Sequence, residues 1–67
     1  MASVSTVRDN VARTIAGKQA LLAAMRTQAD SAHGVTRTAL TASIGFIELN
    51  LEELERILAD LDACLET

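Results

Sequence analysis

The sequence predicts an all-α fold: one antiparallel two-helix hairpin that pairs with a second copy into a four-helix bundle. Three observations carry that expectation. Leu40, Ile44, Ile47, Leu51, Leu54, Leu58, Leu61 and Leu65 alternate spacings of four and three, which lays all eight along one side of a long helix where only another helix covers them. An earlier run, Val4, Val7, Val11, Ile15, Leu22, Met25 and Ala29, recurs with the same helical period. Between them lies one turn signal, Asp30-Ser31-Ala32-His33-Gly34, and no proline or low-complexity tract divides the 67 residues elsewhere.

The whole chain, 1–67, therefore reads as one domain. The first helix is expected over about 4–32, in a segment rich in Ala, Leu, Arg and Gln, residues that lose little side-chain freedom in a helix. The turn is expected at 33–35. Gly34 takes the left-handed conformation that closes a helix, His33 sits at the negative end of the dipole, and Val35 supplies the apolar residue that follows such a cap. Thr36 is the expected N-cap of a second helix running to about residue 65. A glycine inside a helix costs ~0.5–1 kcal/mol relative to alanine, and Asn50-Leu51-Glu52-Glu53 offers a capping box, so a break near Gly45 is the alternative. The four-three spacing runs through Gly45 without a phase break, which favours one continuous helix.

So short a connection forces the helices antiparallel, each about 40 Å long at ~1.5 Å per residue. Folding about Ala32 and His33 brings Val4 towards Leu61, Val11 towards Leu54, Leu22 towards Ile44 and Met25 towards Leu40. The expected core is thus Val11, Ile15 and Leu22 against the eight-residue stripe. The same fold places Lys18 near Glu48 and Arg13 near Glu52, although exposed pairs of this kind contribute only ~0–1 kcal/mol.

A chain this short leaves little net stability from one core and needs a staple. Cys64 is the sole cysteine and His33 the sole histidine, so neither an intrachain disulfide nor a tetrahedral zinc site is available within one chain. Oligomerisation is the remaining staple. It suits a hydrophobic content of 49% and a mean hydropathy of +0.23, both high for a chain that must also stay in water. The second helix carries a further apolar strip, Val35, Ala39, Ala42, Phe46 and Leu49, continued weakly by Ile57 and Cys64. One partner helix cannot cover both strips. Leaving Phe46, Leu49 and Ile57 in water would forfeit several kcal/mol at ~25 cal/mol per Å², and a homodimer is the simplest remedy.

Net charge −3 and a pI near 4.8 disfavour nucleic acid, which needs clustered Lys and Arg. Residues 1–6 lack the basic flank and apolar run of a signal peptide, and the longest uncharged stretch, 38–47, is too short to span a bilayer. The expectation is a cytoplasmic protein with no membrane segment, whose Cys64 serves as a small buried hydrophobe.

No catalytic, cofactor or metal site is expected. Lys18 falls inside the apolar stripe with no acid, base and pocket around it, and reads either as a stem packed along the core or as a polar residue that fixes register. Arg37, Thr38 and Thr41 crowd the start of the second helix and form a weak candidate anion contact. The acids of the second helix spread around its outside as a solvated face. Phe46 and Leu49, bounded by Glu52, Glu53 and Arg56, match the plan of a partner site, an apolar centre with a polar rim. The leading expectation is a non-catalytic protein-binding or regulatory module that docks on, masks or inhibits a larger protein. The alternatives are a structural or chaperone-like subunit of a hetero-oligomer, and a sponge for a small anion at a subunit interface. In size and plan the chain resembles the two-helix RNA-binding Rop proteins and the small hairpin co-chaperones of type III secretion. It shares no motif with them residue by residue, and Asp9 interrupts the basic face that a Rop-like reading requires.

Overall fold

A computed structural model describes residues 3–66; part of the N-terminal reading, Met1 and Ala2, lies outside them. The chain forms two helices, α1 (Val4–Ser31, 28 residues) and α2 (Gly34–Glu66, 33 residues), joined by Ala32 and His33. They pack against each other as a hairpin with Cα extents of 50 × 18 × 14 Å.

Ser3 starts α1. Its side-chain oxygen accepts a hydrogen bond from Thr6 N–H at 3.1 Å, its carbonyl accepts one from Val7 N–H at 3.0 Å, and its backbone is extended. The first bond satisfies one of the donors that a helix start leaves without an intrahelical partner, and the second opens the i→i−4 ladder of the helix. At the other end Ala32, also extended, donates its N–H to Ala29 O at 3.3 Å.

Gly34 is left-handed, with φ +62°, and among the described residues no other residue has a positive φ. It does this at the first position of α2 rather than as the residue closing α1. The second helix therefore begins two residues before the expected Thr36 cap, and Thr36 lies inside its first turn. From there α2 runs unbroken through Gly45. No Cβ added at Gly45 would meet an atom within 4 Å, and the stripe on either side of it stays in phase.

Ile15 and Leu22 of α1 and Leu51 of α2 are buried, with Val11, Ile44, Ile47, Leu54 and Leu58 packed around them half-buried. Leu40 and Leu61 are half-buried as well. The ends of the stripes are different: Val4, Val7 and Leu65 are exposed. At the open end the helices run out, so side chains there lack the neighbours above and below along the axis that flank the central ones.

Candidate binding surface

Successive residues of an α-helix turn by roughly 100°, so with the buried stripes facing each other every other residue can be assigned to a side of the hairpin. The two broad sides differ in chemistry. One carries both ion pairs between the helices. Arg8 Nε donates to Asp62 Oδ1 at 2.7 Å, and Arg26 Nη2 donates to Glu48 Oε2 at 3.3 Å. Arg8 also lies 3.5 Å from Asp9. The hydrogen bond to Asp62, reinforced by that carboxylate's charge, raises the Arg8 guanidinium above its ordinary pKa. Gln19, Arg37, Glu52, Glu55 and Glu66 share this side.

The opposite side is formed by Val7, Thr14, Leu21 and Met25 of α1 with Ser43, Phe46, Asn50 and Ile57 of α2. Charge touches it only at the borders, Lys18 on the inner one and Glu53 on the outer. Eight large apolar residues are exposed among the described residues: Val4, Val7, Leu21, Val35, Phe46, Leu49, Ile57 and Leu65. None of them projects from the charged side. Val7, Leu21, Phe46 and Ile57 project from the uncharged one, with Phe46 73% and Leu21 50% exposed.

Leu49, 65% exposed, points away from α1 along the outer edge of α2. With Ala42, Gly45 and Phe46 it lines an open depression of about 570 Å³, and Glu48 and Glu52 form the rim. The small Ala42 and the absence of a side chain at Gly45 create the hollow beside the two large ones. Of the five residues expected to form a partner site, Phe46, Leu49 and Glu52 meet here. Glu53 and Arg56 are exposed but do not line the depression.

The expected anion contact also comes together, since Arg37, Thr38 and Thr41 line a second depression of about 480 Å³ with Gly34 and Ala42. Its hydroxyls are already committed. Thr38 donates to Gly34 O at 3.2 Å and Thr41 to Arg37 O at 2.8 Å, which leaves the Arg37 guanidinium as the side-chain donor towards an anion.

Three sequence expectations are corrected. Glu48 pairs with Arg26 and not with Lys18, because Lys18 and Glu48 lie at similar distances from the turn but on opposite broad sides. Arg13 does not pair with Glu52, because Arg13 projects away from α2; among the described residues neither Lys18 nor Arg13 joins an ion pair. Cys64 is exposed rather than buried, since it lies on the uncharged side, beyond the reach of α1. Leu21 was missed. It stands outside the period of the α1 stripe in an alanine-rich segment, and only its place on the same side as Phe46 and Ile57 gives it meaning.

Among the described residues no three His, Cys, Asp or Glu side chains converge where a metal ion would sit. No helix there is long and apolar enough to cross a membrane. Compared with known proteins, the chain matches no family model, no curated protein and no solved structure.

Proposed function

We propose that this chain is a small non-catalytic protein-binding module. Two hairpins pair through their uncharged sides into a four-helix bundle, and the outer edge of α2 around Leu49 docks on a larger protein, masking or inhibiting it. The supporting observation is the placement of exposed apolar residues on two adjoining surfaces, with Phe46 at the boundary because it also lines the hollow beside Leu49. Val7, Leu21, Phe46 and Ile57 lie on a broad side shaped to receive another layer of helices, whereas Leu49 and the hollow at Ala42 and Gly45 lie on an edge that such a layer leaves open. A leucine in a hollow with an acidic rim suits an apolar contact flanked by basic residues on the partner.

Capture from a lysate of the native host, followed by mass spectrometry, compares the unmodified protein with Leu49→Asp. The variant is expected to keep its helicity and its mass in solution and to lose the captured protein, because a charge in a desolvated contact is strongly unfavourable. Capture of the same protein by Leu49→Asp overturns the docking edge.

A further inference from the structure

We infer that the uncharged side is an isologous interface to a second copy of this chain, stacked about a two-fold axis along the hairpin so that both turns lie at one end and α1 of each copy covers α2 of the other. This rests on the pairing proposed above and specifies its geometry.

The occupant follows from area and charge. With Cα extents of 50 × 18 Å the side offers about 900 Å², against roughly 800 Å² per partner in a stable specific interface. The charged side cannot stack on its own copy without desolvating the ion pairs it carries. On the uncharged side Glu53 lies at the outer border, where a long side chain reaches water, and Lys18, half-buried along the inner seam between the helices, is the one charge that the stacking must place.

Two stackings of identical hairpins obey two-fold symmetry with this side inward. If the axis runs across the hairpin, α1 lies on α1 and α2 on α2. The helices carry unequal charge: α1 has four bases and two acids, net +2, and α2 has two bases and seven acids, net −5. That stacking therefore sets like charge on like, and Lys18, at the midpoint of α1, meets its own symmetry mate. If the axis runs along the hairpin, each positive helix lies on a negative one. Leu21 and Phe46 lie at similar distances from the turn, and so do Val7 and Ile57. Leu21 of one copy then meets Phe46 of the other, and Val7 meets Ile57, each contact made twice. Thr14 and Lys18 meet Asn50 of the second copy, so the polar middle of the side faces polar groups instead of apolar ones. Lys18 fixes the direction of stacking.

The test uses the full chain with Cys64→Ser as background. Leu21→Cys and Phe46→Cys are prepared separately, one with a size tag, then mixed and oxidised gently. The expected result is a disulfide-linked heterodimer as the main product of the mixture, with little linked species from either variant alone. Light scattering on the unmodified protein is read alongside, with a mass of two chains expected. A monomer there overturns both the interface and the pairing on which it rests. A dimer that yields no Leu21→Cys to Phe46→Cys link overturns the stacking and leaves the pairing intact. Links within each single variant point to the axis running across the hairpin, and equally overturn this one.

Discussion

The two broad sides of the hairpin are built from the same two helices and the same backbone, yet among the described residues one holds both ion pairs between the helices and the other holds almost no charge. The buried stripe between them, centred on Ile15, Leu22 and Leu51, is narrow and gives way to exposed Val4, Val7 and Leu65 at the open end. The comparison teaches that hydrophobic periodicity settles how α1 meets α2, while the placement of charge settles which surface is left to meet something else. A side with Lys18 and Glu53 as its only charges along 50 Å leaves Val7, Leu21, Phe46 and Ile57 in water, which is costly unless something covers them.

The comparison is broken most severely by removing what both sides rest on. Leu51→Ala should cost ~2–5 kcal/mol through lost burial and the cavity left behind, and loss of cooperative thermal unfolding by circular dichroism is the expected reading. Ile57→Asp comes next. Placed on the uncharged side, the carboxylate should abolish the concentration dependence of the melting temperature, which mass action otherwise imposes on a dimer; the same carboxylate at Ala59, on the charged side, should leave that dependence in place.

A third pair of changes separates space from backbone conformation. At both Gly34 and Gly45 an added Cβ meets nothing within 4 Å, but only Gly34 has a left-handed φ. Gly34→Ala should therefore lower stability by ~1–2 kcal/mol, whereas Gly45→Ala should raise it by ~0.5–1 kcal/mol through helix propensity alone. Chemical denaturation of both variants checks the opposite signs.

The smallest effect belongs to the charged side. Replacing Arg26 and Glu48 together by alanine should change stability by less than ~1 kcal/mol, since both side chains are about half exposed and the pair is screened. A double-mutant cycle measures the coupling, and a value of several kcal/mol would mean that this side, too, is covered in solution.

Much of this was legible in the sequence, and the limits have a physical pattern. The eight-residue stripe of α2 announced itself because burial against one neighbour demands the helical period over its whole length. The short turn followed from Gly34, though the residue's place in it did not: a left-handed residue reads the same whether it ends one helix or begins the next. The ion pairs failed for a different reason. Distance from the turn places Lys18 and Glu48 together along the axis, but the direction each projects depends on how the two stripes face, and Arg26, about two helical turns nearer the hairpin turn than Lys18 but on the same side as Glu48, pairs with it instead. Ser3 went unmarked as a cap because Ser5 and Thr6 beside it are equally good candidates by type. Leu21 has no periodic partner within α1, so its role appears only when both helices are viewed on one side.

The left-handed Gly34 has a consequence for the topology of the chain. Between Val4 and Glu66 only Ala32 and His33 lie outside helix, and the left-handed φ of Gly34, the first residue of α2, completes the reversal. If those three joined the helix, α1 and α2 would fuse into a single rod of roughly 90 Å at ~1.5 Å per residue, with both stripes intact and no partner within its own chain. Two such rods laid antiparallel would recover every buried contact of the hairpin by exchange of halves, the usual hazard of a short hinge. One glycine's φ thus separates a protein that buries its core alone from one that buries it only in exchange with a copy.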